Sequence, residues 1–413
     1  MRSWIKGGQR QHERWTSTTV LESFGRFHPV FCYERGADVN QTTGVAIVGG
    51  GVAGCAAAYY LACAGVQVTV IESRGIGMQA SGYSAGGLNP LQGAQIPGPL
   101  GPLAIQSFRA HRKLWAELQE QTGIDCQGRV VSLVKVALDE SELPELQETV
   151  DLFGAASGDG FSARWLDTNE VQKLEPRLAA GVLRGVHAWG NAALDSYLFT
   201  LALARAAERQ GACFRAGQVR GLRREGQQVT GLHLANEEIA CGQVVLAMGP
   251  WSREGEEWLG FSIPVEPLKG ELLRVRLEGP ALNHDLAGAG ASLHAKPDGL
   301  VWLGTTEEQR GFDKAPSRSA RDRIMGNSVR LMPALAGARL VQHTACLRPV
   351  TSDWLPIIGR APGWDNVYLC TGAGKKGVLL APGMGQSVAD LMTQGRTGLA
   401  VECCGPERFA SQT

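Results

Sequence analysis

The chain has 413 residues, 44% of them hydrophobic, and this length allows two domains with a substantial core. Forty basic and forty acidic side chains cancel, so the composition provides no general electrostatic attraction to nucleic acid or to an anionic membrane. The 10 cysteines include no C-x-x-C pair, which argues against a disulfide framework and favours a reduced, cytoplasmic protein.

Residues 1–43 form an N-terminal extension without clear hydrophobic periodicity. They contain no apolar run of the kind that a secretory signal needs, and acids such as Glu13 and Glu22 argue against a mitochondrial transit peptide. The extension is also too rich in aromatic residues for a typical disordered tail. We therefore expect an accessory arm that packs on the rest of the chain or on a partner subunit.

A strand, a helix and a second strand are predicted in succession within residues 44–72. Residues 45–48 are apolar and long enough for a buried strand, but too short for a helix. The alanine-rich residues 53–64 predict a helix that Gly65 ends, and the β-branched residues in 66–71 predict the second strand. The unit is uncharged in its interior, but its glycines and its strand–helix–strand pattern exclude a membrane helix.

Gly49, Gly51 and Gly54 stand between the first strand and the helix at the spacing G-x-G-x-x-G. The first glycine permits the tight turn, the second lets a pyrophosphate approach the bare backbone, and the third brings the helix against the sheet. The helix N-terminus then faces the phosphates, and Glu72 can accept hydrogen bonds from ribose hydroxyls. The sequence predicts a dinucleotide site; the alternative is a structural unit whose glycines serve packing alone.

A loop of small residues follows at 80–88, with the sequence ASGYSAGGL. Such a loop can pass very close to a flat ring or a phosphate, because few side-chain atoms stand in the way. The alternative is a flexible glycine- and serine-rich connector, which composition alone does not exclude.

The rest of the chain alternates helices and strands without an internal repeat. Further helices are predicted at 103–121, 143–153, 195–210 and 384–392. Further strands are predicted at 130–136, 218–223, 229–234, 243–248, 263–277, 300–305 and 367–371. The runs at 263–277 and 300–305 are expected in a second sheet, and the last strand and helix return to the first.

Six segments, taken together, resemble the D-amino-acid oxidase family of flavoproteins, especially its glycine oxidase and sarcosine oxidase-like branch. They read VAIVGGGVAG…VTVIES, ASGYSAGGLNP, VVLAMGPWS, VEPLKGE, CLRPVTSDWLPIIGRAPG and LCTGAGKKGVLLAPGMG. Each segment is short, but their order and spacing over most of residues 44–397 make the resemblance specific. The first 43 residues lie outside it.

The resemblance implies FAD as the cofactor and an α/β fold of two domains. A Rossmann-type FAD-binding domain would comprise residues 44–104, 193–262 and 345–400. A second, α+β substrate domain, built on a mainly antiparallel sheet, would comprise residues 105–192 and 263–344. No metal site is expected.

The resemblance also assigns FAD contacts residue by residue. The ADP half would contact Gly49, Gly51, Val52, Ala53, Gly54, Glu72, Ser73 and Arg74, and the adenine edge would meet the backbone of Val219. The isoalloxazine and pyrophosphate would lie along Ser81, Ser84, Ala85, Gly86, Gly87 and Leu88. The rest of the flavin cavity would be formed by Ala247, Gly249, Trp251, Gly372, Gly374, Lys375, Lys376, Gly377, Val378 and Leu379.

Arg348 matches the family arginine that binds a substrate carboxylate. A guanidinium suits this task because its planar fork donates two parallel hydrogen bonds to the anion. The alternative is a structural arginine that satisfies loop carbonyls. Cys346 falls where sarcosine oxidases attach flavin covalently, although a free cysteine is commonly a small buried hydrophobe.

Three departures from the family pattern bear on catalysis. The usual His and Arg before the LLAP segment are Ala373 and Lys375, so the second anion contact becomes a point charge on a flexible stem. Glycine oxidases place a tyrosine near Ser292, whereas this chain offers His294 close by. Trp302 stands on the strand where sarcosine oxidases carry an oxygen-activating lysine, which weakens the case for fast reaction with dioxygen. We take Arg348, Lys375, His294 and Trp302 as the candidate catalytic residues.

The function we expect is oxidation of the C–N bond of a small amine or amino acid of the glycine, sarcosine or D-amino-acid type. The amine would pass a hydride to flavin N5, the imine would hydrolyse, and dioxygen would reoxidise the flavin to give hydrogen peroxide. No acid–base residue is obligatory, because hydride loss from a neutral amine needs positioning more than proton transfer.

Three alternatives remain open. A dehydrogenase of the same fold would pass its electrons to a quinone or a protein instead of dioxygen. A flavin domain that modifies a tRNA wobble uridine is disfavoured by the zero net charge and the lack of a basic stripe. A flavin subunit of a larger complex would use the N-terminal extension for docking, and a homo-oligomer is compatible with each of these functions.

Overall fold

A computed structural model describes residues 42–412 of the chain. The predicted N-terminal extension, apart from its last two residues, lies outside the described part. The strands are β1 Thr42–Val48, β2 Val68–Glu72, β3 Gly87–Leu88, β4 Arg129–Val130, β5 Leu133–Ala137, β6 Ser162–Leu166, β7 Arg184–Trp189, β8 Ala192–Ala193, β9 Cys213–Ala216, β10 Gly221–Glu225, β11 Gln228–His233, β12 Glu238–Leu246, β13 Val265–Arg276, β14 Asp285–Gly288, β15 Ala291–Ala295, β16 Leu300–Gly304, β17 Arg339–Thr351, β18 Ile357–Arg360 and β19 Val367–Thr371. The α-helices are α1 Val52–Cys63, α2 Ala80–Tyr83, α3 Gly101–Thr122, α4 Leu143–Ala155, α5 Thr168–Leu174, α6 Ser196–Arg209, α7 Glu256–Leu259, α8 Arg318–Leu331 and α9 Gly377–Gln394.

The first sheet has a parallel centre in the order β9-β2-β1-β12-β19. β10 and β11 add an antiparallel hairpin against the first half of β12, and β18 pairs antiparallel with β19. The apolar runs that predicted β1 and β2 are buried on both faces of the sheet. Helices pack against one face, and apolar residues that include Val229 and Leu232 of β11 pack against the other. This is the predicted Rossmann-type sheet.

The second sheet has the order β17-β13-β16-β15-β14-β5-β7-β6 and is antiparallel except between β14 and β5. Its apolar face packs against α8 around Leu273, Leu293 and Leu303. β3, β8 and β4 form a small third sheet. The predicted fold class, a Rossmann-type α/β unit with a mainly antiparallel second sheet, is confirmed.

The division of the chain into two domains stays a prediction. β17 spans Arg339–Thr351 and belongs to the second sheet along its whole length, so the predicted boundary at residue 345 falls inside a strand. The predicted strand at 130–136 is two strands, and the predicted last helix begins at Gly377 instead of residue 384. Within residues 42–412, no helix combines the length and apolar composition needed to cross a membrane.

Pro382 explains why the start of α9 was missed, since a proline inside a helix removes a backbone donor. The N–H that is missing at Pro382 would have bonded to the carbonyl of Val378, four residues earlier. His111 of α3 supplies the replacement: its Nε2 lies 2.8 Å from the Val378 carbonyl oxygen, and its side chain is fully buried. Burial lowers the pKa of His111 to about 4, so the imidazole is neutral at neutral pH.

We expect His111→Leu to lower the free energy of unfolding by about 1–3 kcal/mol at pH 7, because the Val378 carbonyl is left buried without a donor. The folded-state pKa lies below the unfolded value, so the neutral histidine stabilises the fold fully above about pH 6.5 and less as the pH falls toward 4. Wild type should therefore lose roughly 1.5 kcal/mol more than His111→Leu between pH 6.5 and pH 5. Urea unfolding at the two pH values measures this, and equal losses in both proteins would contradict it. His233→Leu, at a half-exposed histidine, serves as control.

Candidate functional site

A cavity of about 450 Å³ lies at the carboxyl ends of the parallel strands of the first sheet. Gly49 follows β1, Glu72 ends β2, Ala247 follows β12 and Gly372 follows β19, and all four line the cavity. The opposite wall comes from β13, β15 and β17 of the second sheet. Crevices at the carboxyl ends of parallel strands are the usual ligand sites of open α/β sheets, and this volume is typical of a ligand pocket.

The three glycines of the turn after β1 differ in what surrounds them. Gly49 has φ +112°, and a Cβ there would lie 2.4 Å from the Ala247 carbonyl oxygen. A Cβ at Gly54 would lie 2.0 Å from the Gly49 carbonyl oxygen, so this glycine lets α1 pack against the turn. A Cβ at Gly51 would meet nothing closer than Ser81 Oγ at 3.4 Å, because that position faces the cavity. The turn therefore leaves bare backbone at the N-terminus of α1, which suits a phosphate.

Glu72 has a structural task in addition to the predicted one. Its Oε2 accepts a hydrogen bond of 2.7 Å from the N–H of Gly50, and its Oε1 accepts one of 2.7 Å from the N–H of Arg74. The carboxylate thus ties the glycine turn to the residues after β2. It also lines the cavity, and its oxygens retain lone pairs for ribose hydroxyls.

Most of the predicted FAD-binding residues line this one cavity. The lining residues among them are Gly49, Gly51, Val52, Ala53, Glu72, Ser73, Arg74, Ser81, Ser84, Ala85, Gly86, Gly87, Val219, Ala247, Gly249, Trp251, Gly372, Gly374, Lys375, Gly377 and Val378. The four outside the lining are Gly54, Leu88, Lys376 and Leu379. Leu88 and Leu379 are buried in the helical core instead.

The two lysines after β19 have different environments. The Nζ of Lys375 lies 2.6 Å from Glu307 Oε1 at the cavity wall, so its charge is already paired. The Nζ of Lys376 points away and donates to the carbonyl oxygens of Asn89 at 3.1 Å and Gln92 at 2.5 Å. Burial lowers the pKa of Lys376 to about 8. Lys376 therefore anchors the loop after β3, and any substrate anion at Lys375 must compete with Glu307.

Arg348 extends from β17 into the cavity wall and passes over Gly270 of β13, where a Cβ would lie 2.2 Å from Nη1. Its Nη1 donates a hydrogen bond of 3.0 Å to the Thr306 carbonyl oxygen. Within residues 42–412 its other N–H groups have no hydrogen-bond acceptor. The guanidinium is thus held by one loop carbonyl, as the structural alternative requires, and still has donors available for an anion.

His294 and Trp302 are neighbours on β15 and β16, but only His294 lines the cavity. Trp302 is buried between two cations, with the guanidinium of Arg274 at 4.0 Å and the Nζ of Lys296 at 4.4 Å from its ring centroid. The Nζ of Lys296 donates to the carbonyl of Ala85, in the loop that lines the cavity. Burial lowers the pKa of Lys296 to about 8. The amine of Lys296 therefore lies beside this loop, although Trp302 itself carries no charge.

Cys346 lies between Arg348 and Thr344 on β17, and its side chain lines the cavity. Burial raises the pKa of its thiol, although the charge of Arg348 opposes the shift. The thiolate is the nucleophilic form, so this environment disfavours attack on a flavin ring.

We expect acid precipitation of the purified yellow protein to release the flavin into the supernatant. The reason is that the environment of the half-buried Cys346 raises the pKa of its thiol, which disfavours the thiolate that would form a thioether. Absorbance of the supernatant and pellet measures the partition. Flavin that stays with the wild-type pellet but is released from Cys346→Ala would contradict the expectation.

Several cavity residues escaped the sequence analysis. Thr344, Gly270 and Leu272 face the cavity because they share the face of β17 and β13 that carries Arg348. The period of two along a strand, counted back from Arg348, would have identified Thr344. Gly270 and Leu272 depend on pairing between distant strands, which no local signal in the sequence reveals.

The fold and the cavity define a dinucleotide-binding protein in which a parallel sheet and a glycine turn face a second, antiparallel sheet. A family model described as FAD dependent oxidoreductase matches residues 44–391. The chain belongs to this family, and FAD is its cofactor. The resemblance to the D-amino-acid oxidase family is confirmed.

Three comparisons with individual proteins agree with the family. The glycine oxidase of Pseudomonas aeruginosa is 31% identical over 352 residues, which cover 84% of this chain and 94% of that protein. The D-amino acid dehydrogenase of Methylobacterium nodulans is 30% identical over 423 residues, covering 88% of this chain and 99% of that protein. The crystal structure of glycine oxidase from Geobacillus kaustophilus superposes with a TM-score of 0.82 at 29% identity, covering 89% of this chain and 98% of that one.

Proposed function

We propose that the protein oxidises the C–N bond of a small amino acid, with glycine and small D-amino acids as the first candidates. Glycine oxidases and a D-amino acid dehydrogenase are among its relatives, and each aligns over more than four fifths of the chain. The single observation that carries the proposal is the position of Arg348, whose available donors face the same cavity as the glycine turn.

FAD would be held at three places along the carboxyl edge of the first sheet. The bare backbone at Gly51 and the N-terminus of α1 would bind the pyrophosphate, and Glu72 would bind the ribose. Val219 lines the cavity after β9, where its backbone would meet the adenine. The bound cofactor supplies the acceptor for the hydride that leaves the amino-acid carbon.

The protein's own residues would bind and orient the substrate. Arg348 would receive its carboxylate in two parallel hydrogen bonds, with the guanidinium fixed by Thr306 and by the flat surface of Gly270. Leu272 and Cys346 would cover the remaining wall and keep water away from the carbon that reacts. Fixing a substrate in one orientation in this way supplies much of an enzyme's rate acceleration.

For the electron acceptor we propose dioxygen, with a quinone or a protein as the second candidate. The ammonium of Lys296 beside Ala85 supports dioxygen, since a nearby cation stabilises negative charge that develops on oxygen. The relationship to a D-amino acid dehydrogenase supports the second candidate. The nine described cysteines are all free thiols, which agrees with the cytoplasmic location that we also propose.

Steady-state turnover of a panel of amino acids and amines tests the function. We expect oxo acid and ammonia in equal amounts, and one hydrogen peroxide for each in air. Lys296→Met should slow reoxidation by dioxygen without slowing flavin reduction. Turnover with a quinone dye but without peroxide would show that the acceptor is a quinone or a protein and not dioxygen. No turnover with any member of the panel would overturn the proposal.

A further inference from the structure

His294 and Asp285 form a pair at the cavity wall that the proposed function does not yet use. The Nδ1 of His294 lies 3.1 Å from Asp285 Oδ2, and the two side chains are 23% and 12% exposed. His294 lines the cavity, and its Cε1 lies 4.0 Å from the place that a Cβ on Gly87 would occupy. The imidazole therefore lies next to Gly87 of the loop that lines the cavity.

Asp285 is fixed from more than one side. Its Oδ1 accepts a hydrogen bond of 3.0 Å from the N–H of Ala295, and its own N–H donates to the carbonyl of Ser132 at 3.0 Å. Burial tends to raise the pKa of this carboxyl, but His294, the Ala295 N–H and Lys296 lower it overall, so Asp285 is ionised. An ionised carboxylate only accepts hydrogen bonds, so Nδ1 of His294 must carry a proton. The nitrogen left for the cavity is Nε2, with its lone pair free when the ring is neutral.

Charged groups of both signs lie around the pair. The group consists of three cations and three acids that interact with one another. The cations are Lys296, Arg129 and Arg274, and the acids are Asp285, Asp195 and Asp298. Tyr83 faces Arg274 from α2, and Trp302 is the neighbour on β16. The three positive and three negative charges balance one another, and Asp285 is the member of the group that contacts the His294 ring, through Nδ1.

We infer that His294, oriented by Asp285, accepts the proton that a substrate ammonium must lose before its C–N bond can be oxidised. This inference rests on the proposed function. The substrate N–H bond breaks, an N–H bond forms at Nε2, and the electron pair stays on the substrate nitrogen. These electrons would be available for the C=N bond when the adjacent carbon loses its hydride to the bound cofactor. The ammonium form, which dominates for amino acids at neutral pH, thereby becomes a competent substrate.

Anaerobic rapid-mixing measurements of flavin reduction test the inference, with an amino acid that reduces the wild type. At pH 7 the second-order rate constant should fall by about 10²- to 10⁴-fold in His294→Gln and in Asp285→Asn, the latter because the amide favours the wrong tautomer. At pH 10 more substrate is already the free amine, so the loss in His294→Gln should shrink to less than about 10-fold. His233→Gln, on β11 away from the cavity, is the matched control.

The pH dependence separates proton transfer from a merely structural role. An equal loss at pH 7 and pH 10, or no loss at pH 7, in variants that bind FAD fully would overturn the inference while leaving the proposed function intact. A wild type whose flavin no amine reduces would overturn both.

A second measurement needs no turnover. In the ¹⁵N-histidine spectrum of the FAD-bound protein, His294 should be protonated at Nδ1, and this signal should change in Asp285→Asn. A proton at Nε2 of neutral His294 in the wild type would also overturn the inference.

Discussion

Gly51→Val is expected to abolish FAD binding while the chain still folds. The structure separates these effects, because a Cβ at Gly51 would meet only Ser81 Oγ at 3.4 Å within the protein. The valine methyl groups would instead occupy the space where the pyrophosphate approaches the backbone at the start of α1. We expect the FAD content to fall from about one per chain to less than about one tenth.

Absorbance at the flavin bands gives the FAD content of the purified variants, and circular dichroism shows whether they fold. Gly101→Ala is a suitable control, because a Cβ at that helix position meets nothing within 4 Å. Gly54→Val should behave differently and fail to fold, since its Cβ would lie 2.0 Å from the Gly49 carbonyl oxygen. Stoichiometric FAD in folded Gly51→Val would show that the pyrophosphate lies elsewhere.

Arg348→Ala is expected to lower kcat/KM by roughly 30- to 1000-fold, which corresponds to about 2–4 kcal/mol, without changing the FAD content. The variant loses the charge-assisted hydrogen bonds to the substrate carboxylate. Arg348→Lys should recover only part of the loss, because an ammonium does not present two parallel N–H donors. Steady-state kinetics and the flavin spectrum measure both properties, and the exposed Arg360→Ala is the control for loss of a positive charge.

Gly270→Ala tests the same contact without removing the charge. The new methyl group would lie within 2.3 Å of the guanidinium, so Arg348 must move. Misplacement of a binding group by about 1 Å can cost up to roughly 100-fold in rate. Simple carboxylates should also inhibit the wild type competitively and inhibit both variants less. Normal turnover in Arg348→Ala together with no inhibition by carboxylates would contradict the anion-binding role of Arg348.

The cofactor end of the site was predictable because its residues are close in sequence. Gly49, Gly51 and Glu72 belong to a single strand–turn–helix–strand unit, and each occupies a position that the phosphate and ribose chemistry requires. The loop at 80–88 was recognisable from its small side chains. Local patterns of this kind need no knowledge of how distant strands pair.

The substrate end was less accessible from the sequence because it depends on long-range pairing. Arg348 passes over Gly270, and the amine of Lys296 reaches Ala85, across separations that no local periodicity records. The sequence also placed Trp302 and Lys376 at the site, whereas both side chains lie outside the cavity lining. Neither the direction of a side chain nor the partner of a buried charge follows from residue type alone.

Anaerobic mixing with a small amino acid tests the central claim most directly. If the protein oxidises the C–N bond with its bound FAD, glycine or a small D-amino acid should bleach the flavin absorbance in the absence of oxygen, with one substrate consumed for each FAD reduced. Substitution of deuterium for the hydrogen on the α-carbon should slow the bleaching, because that C–H bond breaks in the step. A flavin that dithionite reduces but that no amino acid or amine of the panel bleaches would contradict the account.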